Sequence, residues 1–408
     1  MIESIQANLR EELQRKSIDA YIAYTPGNIF YTTGFASPLK SIFWRMWGGD
    51  LAVIPASELP AALILSDFVA PAAPIATNIT DIRTYRTWVE NRELDVISTT
   101  ETQGSWLESP TRPAQFDLTE VHRILQNILT ERGLQNGVIG TDLRYMHKET
   151  YDQLVENNPN CAFVDCTDLL YSLRAVKYPE EIASLRNAAL LFESGVTHSI
   201  KNLKPDHSAQ VIKHEYLAGV IAHVLEDRSL GEYRSSFGFV SAGSGSQMAF
   251  GTQSHLQDTD LIKFDCGAIL NGYASDCGRT FVCGKATGAQ KQMYEALAST
   301  HETIRAMMKP GIKVSDIAIT AEQQVRNSGY PNYTRGHFGH SIGLDDFVEE
   351  PPFIASNDNS ILVPGMVMCI ETPYYSKELG SIQIEDMILI TESGHENFNS
   401  LSYNLVEV

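Results

Sequence analysis

The chain has no Cys-x-x-Cys pair and none of the cysteine and histidine spacings of a zinc finger; its six cysteines (Cys161, Cys166, Cys266, Cys277, Cys283 and Cys369) are scattered. In a chain of this length, that scatter predicts packed thiols rather than a disulfide framework. Basic residues are also in short supply, with 31 Lys and Arg against 50 Asp and Glu, for a net charge of −19 and a pI near 5.0. Neither a nucleic acid nor an anionic membrane is an expected partner, because both call for a basic patch that displaces condensed cations. No run of about 18 apolar residues marks a membrane span. The opening Met1-Ile-Glu-Ser4 lacks the basic and apolar regions of a signal peptide. A cytoplasmic protein is expected.

What is present is an ordinary globular composition, 43% hydrophobic and 20% charged over 408 residues, enough for two domains with sizeable cores. Ile5, Leu9 and Leu13 at helical spacing predict a helix over 4–16, followed by a strand at Asp19–Tyr24 and a turn with a short helix over 26–34. Strand-like runs at Leu51–Ile54, Ala61–Leu65 and Val138–Ile139, with a helical pattern over Leu118–Arg132, give an α/β layer domain. Pro179, Glu180 and Glu181 open a long helical stretch. The expected domains are therefore 1–173 and 174–408. In the second, the order of elements repeats: two helices (the second over about 208–227) and strands holding two aspartates, then two more helices (about 287–308 and 314–328) and strands holding two glutamates. Such a duplication predicts two like halves around a pseudo-two-fold axis.

The chain is organised around Ile262–Phe281. Its centre, Asn271-Gly272, suits a two-residue type I′ hairpin turn, which needs positive φ at both positions. If Leu270 faces Tyr273, then Asp265 faces Gly278 and Asp276 faces Gly267, so both acids project to one side. The other face of the first strand (Ile262, Phe264, Cys266, Ala268, Leu270) is apolar and reads as core; there Cys266 and Cys277 would be neighbours. Two carboxylates so close repel unless a cation or a shared proton lies between them. A surface hairpin with two solvated acids is the alternative.

Downstream, Glu371 and Glu385 each sit in a β-favouring apolar run, where a buried acid is costly unless it is paired or bound to metal. Arg335-Gly-His-Phe-Gly-His-Ser-Ile-Gly-Leu344 adds His337 and His340 among glycines. Four carboxylates and one imidazole form an oxygen-rich set that suits two divalent ions such as Mn²⁺, Co²⁺, Fe²⁺ or Zn²⁺, not a single tetrahedral zinc. Two such ions can activate water for attack on a carbonyl.

These residues resemble the pita-bread metallopeptidases and their relatives: methionine aminopeptidase, prolidase, Xaa-Pro aminopeptidase, and the non-peptidase creatinase and ectoine hydrolase. Asp265 and Asp276 match D-x-G…Y-x-x-D-x-x-R, with Tyr273 and Arg279 in place, and His340 matches G-H-x-[IL]-G. Glu371 matches P-G-M-V…I-E and Glu385 matches I-x-[IL]-E-[DN]. The stretch from Asp19 to Phe35 is similar to the opening of prolidase and creatinase-type chains, so the two-domain members are the nearer relatives.

The resemblance implies an α/β N-terminal domain of creatinase and prolidase type before an α+β pita-bread C-terminal domain. It implies metal ligands Asp265, Asp276, His340, Glu371 and Glu385, with Asp276 and Glu385 as bridges and Glu371 as proton shuttle. It further implies manganese as the favoured ion, a dipeptide or other small-molecule substrate, and a homodimer. Two departures stand out: Phe250 and Val348 occupy positions where peptidase members carry substrate-binding histidines. His255 and His337 lie close in sequence and are the candidate replacements; otherwise His255 is a surface loop residue and His337 a structural one. Tyr273 and Arg279 would support the acids or simply pack across strands, and Gly278 stands where threonine is usual. Trp44, Trp47 and Trp88 would close over a site or belong to the core.

The leading expectation is a dinuclear-metal hydrolase of an amide C–N bond, resembling Xaa-Pro dipeptidase. The alternatives are a creatinase-like or ectoine-hydrolase-like small-molecule hydrolase or lyase, and a non-catalytic binding module on the same fold.

Overall fold

Strands buried at every residue need both faces covered, and the first half of the chain supplies three of them: β1 (Ala20–Ala23), β2 (Leu51–Pro55) and β3 (Ala62–Ser66). With β4 (Asp81–Tyr85), β5 (Val138–Thr141) and β6 (Ala162–Asp165) they form a six-stranded sheet in the order β4-β3-β2-β1-β5-β6. The computed structural model describes residues 1–45, 49–98, 111–243, 255–344 and 349–408. They form two compact units, Met1–Leu173 and Arg174–Val408.

In the first unit the helix Ile2–Arg15 buries Ile5, Leu9 and Leu13, the residues whose spacing predicts it. The helix Pro26–Thr33 is capped by the Thr25 side chain and closed by Gly34 at φ 77°. The helix Thr119–Glu131 turns Val121, Ile124, Leu125, Ile128 and Leu129 inward, where they join β1, β2 and β3 in one core. The pattern of the sequence does not mark β4 and β6 because they are the outer strands, with mostly half-exposed residues. Trp44 and Trp88 pack against this core; Trp88 meets Phe43 and Phe116 edge to face, at 5.9 and 5.4 Å between ring centres. Trp47 lies outside the described residues.

The second unit repeats its element order as expected. Helices Pro179–Lys201 and Ala209–Glu226 precede β7 (Tyr233–Gly238), β8 (Ser241–Ala242), β9 (Leu261–Leu270), β10 (Tyr273–Ala274) and β11 (Cys277–Val282). Helices Gly288–Met307 and Val314–Asn327 then precede β12 (Gly339–Ser341), β13 (Glu350–Phe353), β14 (Val367–Glu371), β15 (Tyr374–Ser376), β16 (Gly380–Ile382) and β17 (Glu385–Ile390). One sheet follows the path β10-β9-β11-β17-β14-β12-β13, with β7 and β8 also on β9. Side chains from its apolar face and the second pair of helices make a core around Ile304, Ile317, Met368, Ile370 and Ile388. Among the described residues no helix is long and apolar enough to cross a membrane.

The first unit also buries charge. Lys40 is fully buried, its Nζ 4.1 Å from the centre of the Tyr24 ring and without a hydrogen-bond partner among the described residues. Burial pushes its pKa down to about 7, against the pull of Asp50 and Asp142. Below pH 7 the lysine is charged in both folded and unfolded chains, so the whole cost of burying the charge is present. Above pH 7 the unfolded chain keeps a proton that the folded chain has lost, and stability rises with pH. Lys40→Met removes this dependence. Chemical denaturation of both proteins should therefore show the stability of wild type relative to the variant improving by about 2 kcal/mol between pH 7 and pH 9; a difference independent of pH would contradict the burial argument.

Candidate metal centre

Asn271 and Gly272 adopt φ of 52° and 82°, the left-handed pair that a type I′ turn requires. They set the register Leu270↔Tyr273, Cys266↔Cys277 and Asp265↔Gly278 between β9 and its returning partners. Cys266 and Cys277 face each other as free thiols, and all six cysteines are free. The ladder breaks between β10 and β11, at Ser275 and Asp276. A Cβ on Gly267 would lie 1.8 Å from the Ser275 carbonyl oxygen, so only glycine admits the backbone that delivers Asp276.

The same register runs on across the sheet. Gly278 of β11 pairs with Glu385 of β17, and Glu385 pairs with Glu371 of β14. Asp265, Gly278, Glu385 and Glu371 thus form one row over four strands, and directly opposed residues project from the same face. In the next strand His340 pairs with Cys369. Gly278 has its own steric reason, since a Cβ there would lie 2.2 Å from Gln383 Cγ and 3.2 Å from Glu385 Cβ. Gln383 fills that space and donates from Nε2 to Glu371 Oε2 at 3.1 Å and to Glu385 Oε2 at 2.9 Å.

Two overlapping sets of donor atoms result: Asp265, Asp276 and Glu385, and His340, Cys369 and Glu385, with the atoms of each set within 4.8 Å of one another. Glu385 is common to both. The His340 Nδ1 bonds the Ser341 carbonyl oxygen at 3.0 Å, which leaves Nε2 facing Glu385 Oε1 at 3.9 Å. This is the arrangement by which a backbone acceptor orients an imidazole ligand. Asp276 Oδ1 is buried and has no hydrogen-bond partner among the described residues, as a carboxylate oxygen kept for a cation would be. Carboxylates, imidazole and an orphaned oxygen fit a pair of divalent cations.

The charges are compensated unevenly. Lys263, fully buried two residues before Asp265, holds Asp265 Oδ2 at 2.9 Å. Arg335 lies 2.7 Å from Glu371 Oε1, and His337 Nδ1 lies 3.3 Å from the same oxygen, off the line of a hydrogen bond. Burial alone would raise the Glu371 carboxyl, but Arg335, His340, His337 and the Gln383 bond together hold it below the ordinary carboxylate range. Asp276 and Glu385 are pushed well up by burial and then by the other acids. Burial also raises Asp265, partly offset by Lys263.

Behind the row, Arg279 is fully buried and donates from Nη1 to the carbonyl oxygens of Gly278 (2.8 Å) and Glu385 (2.9 Å) and from Nη2 to Asp386 Oδ1 at 2.6 Å. Asp386 Oδ2 also takes contacts from His301 (3.0 Å), Asn397 (3.1 Å) and the Tyr403 hydroxyl. Burial works against the Asp386 charge, but Arg279, His301 and Tyr403 hold this carboxyl well below its usual range.

Of the residues proposed from sequence, the fold brings Asp265, Asp276, His340, Glu371 and Glu385 to one patch with His337 beside them. Glu371 belongs to neither donor set, its oxygens being directed at Arg335 and Gln383. His255 is exposed, with Nδ1 2.7 Å from the Asp206 carbonyl oxygen, and nothing among the described residues joins it to the acids. Tyr273 is buried and lies against Glu181. Phe250 and Val348 lie outside the described residues. Lys263, Cys369, Gln383, Arg335 and Asp386 are polar neighbours of the row that motif reading passes over. The first three each stand two residues before an acid of the row, so strand alternation was the signal that could have found them.

The model of "Metallopeptidase family M24" matches residues 183–392, and that of "Creatinase/Prolidase N-terminal domain" matches residues 6–176. The chain belongs to metallopeptidase family M24. It is 28% identical to the Xaa-Pro dipeptidase of Pyrococcus furiosus over 72% of this chain and 79% of that one. It is 27% identical to the Xaa-Pro dipeptidase of Lactobacillus helveticus over 65% and 70%. Among solved structures, the Xaa-Pro dipeptidase from Bacillus anthracis superposes over the whole of both chains with a TM-score of 0.80 at 19% identity. The prolidase from Pyrococcus horikoshii gives 0.78 at 21% identity, covering 99% of this chain and 100% of that one. The protein is thus a dinuclear metal-dependent amide hydrolase of the M24 family, built from a creatinase-type α/β domain and a pita-bread domain.

The buried Arg279–Asp386 pair gives a direct test of what supports the M24 centre. Arg279→Met leaves Asp386 without its cation and frees the Glu385 backbone. It should cost about 3–5 kcal/mol in a denaturant titration and lower metal uptake with it; a variant as stable as wild type would show the pair to be dispensable.

Proposed function

We propose that this M24 hydrolase cleaves the amide C–N bond of a small, dipeptide-sized substrate, with two divalent ions held by Asp265, Asp276, His340, Glu371 and Glu385. The observation that carries this reading is the pair of donor sets that share Glu385, because two ions joined by a common carboxylate need such an overlap. The family likeness would make Asp276 the second bridge; its donor atoms join the set of Asp265 and Glu385, and its Oδ1 has no hydrogen-bond partner among the described residues. When bound, the ions supply a Lewis acid for the substrate carbonyl and a lowered pKa for water. Manganese suits the all-oxygen set Asp265–Asp276–Glu385.

The chain's own residues do the proton work. Glu371, kept ionised by Arg335, accepts the proton of the attacking water and delivers it to the leaving nitrogen. His337, between Glu371 at 3.3 Å and Glu349 at 3.7 Å, donates a hydrogen bond to the oxyanion that develops on the substrate. The Xaa-Pro dipeptides named for the relatives are the first substrate class. A second reading, a different small molecule, is favoured by Phe250 and Val348, whose side chains cannot donate hydrogen bonds. Six free cysteines, with Cys266 and Cys277 paired across strands, support residence in a reducing cytoplasm. The family likeness supports a homodimer.

Three measurements test these points. Elemental analysis should find about two divalent ions per chain, and Asp276→Ala should lose both ions and activity; full occupancy in that variant would refute the ligand assignment. With Mn²⁺ supplied, Xaa-Pro dipeptides should turn over about 10²–10³-fold more slowly than with a prolidase that retains both histidines, and His337→Ala should remove most of what remains. Equal turnover would dismiss the second reading. Light scattering should give twice the 45.3 kDa chain mass, and a lone 45.3 kDa species would rule out the dimer.

A further inference from the structure

The row of acids is rich in oxygen, yet one of its two donor sets is not all oxygen. Cys369 lies on β14 two residues before Glu371 and faces the same side of the sheet. It pairs across the ladder with His340. Its Sγ, a ring nitrogen of His340 and a Glu385 oxygen belong to one buried set within 4.8 Å of each other. Among the described residues the thiol's one hydrogen bond is to the Asp276 carbonyl oxygen, at 3.5 Å, a weak bond because S–H is a poor donor. His340, 2% exposed, has its Nδ1 spent on Ser341 and no hydrogen-bond partner for Nε2 among the described residues. The two soft donors of the centre, an imidazole nitrogen and a thiol sulfur, are therefore adjacent and on one side of Glu385, while the other side is carboxylate only.

We propose that Cys369 is a metal ligand, and that it makes the two ion positions chemically unequal. The position built by His340, Cys369 and Glu385 takes a thiophilic ion of the Zn²⁺ or Co²⁺ class, and the position built by Asp265, Asp276 and Glu385 takes a harder ion such as Mn²⁺. On binding, sulfur forms a bond to the ion and releases its proton to solvent, with no change of oxidation state. Lys263 adds to the inequality. Its ammonium competes for Asp265 Oδ2 at 2.9 Å, whereas among the described residues no cationic side chain is paired with Cys369. This proposal deepens the dinuclear reading above and rests on it.

The test uses the full chain freed of metal. Titration of wild type with Co²⁺ should produce a near-ultraviolet thiolate-to-cobalt charge-transfer band, and Cys369→Ser should bind Co²⁺ without that band. In competition with a chromophoric chelator, Cys369→Ser should lose at least about tenfold in Zn²⁺ affinity while its Mn²⁺ affinity stays as in wild type. Zinc-edge X-ray absorption on the wild-type protein, which needs no variant to fold, should show one sulfur neighbour at about 2.3 Å. Cobalt bound with no charge-transfer band, or zinc with no sulfur neighbour, would overturn the proposal and leave the dinuclear hydrolase standing. A band that persists in Cys369→Ser would assign the sulfur to another cysteine and overturn it as well. Wild type that takes up no ion at all would overturn both readings.

Discussion

Four carboxylates crowded onto one buried patch of sheet are the constraint on which the second unit depends. Asp265, Asp276, Glu371 and Glu385 would drive one another apart, and in a low-dielectric setting their repulsion is far stronger than in water. The fold answers locally where it can, with Lys263 on Asp265 and Arg335 on Glu371. Among the described residues no lysine or arginine pairs with Asp276 or Glu385, and they are the acids of the row pushed furthest upward. A cation at that point relieves strain that the strands cannot relieve themselves, so metal binding and the stability of this unit are one equilibrium.

Holding the acids in place takes a second layer of polar structure. Arg279 binds two backbone carbonyls of the row and the Asp386 carboxylate, and Asp386 gathers His301, Asn397 and Tyr403 from three other segments. This cluster lies on the reverse face of the strand that carries Glu385, because residues 385 and 386 alternate. Glu385 is therefore braced from behind its strand, which fixes where its carboxylate stands in the row. Gln383 does the corresponding work on the acid face by tying Glu371 to Glu385, and Gly278 is glycine because Gln383 occupies the space beside it.

The proton chemistry follows from the same uneven compensation. Glu371, at the end of its strand and flanked by Arg335 and His337, is the acid of the row whose surroundings favour the ionised form most. That suits a group that receives a proton and passes it on. Burial and mutual repulsion push Asp265, Asp276 and Glu385 upward, and a cation between them would favour their ionised forms.

Much of this was written in the chain. Asn271-Gly272 dictated the hairpin and its register, because few other residue pairs accept two positive φ values. Strand alternation determined that Asp265 shares a face with Lys263, Glu371 with Cys369 and Glu385 with Gln383, although only the acids announced themselves as motifs. Helical spacing located the helices that begin at Ile2, Pro179, Gly288 and Val314. The weakly patterned outer strands Asp81–Tyr85 and Ala162–Asp165 stayed hidden, since a half-exposed strand leaves no clear hydrophobic period. Tertiary structure alone decided that Asp265, Gly278, Glu385 and Glu371 fall in a single row, that His340 lies opposite Cys369, and that His301 reaches Asp386 from a helix 85 residues away. The reason is physical: local periodicity fixes which way a side chain points, but which strand becomes its neighbour depends on hydrogen bonding and burial between segments far apart in the chain.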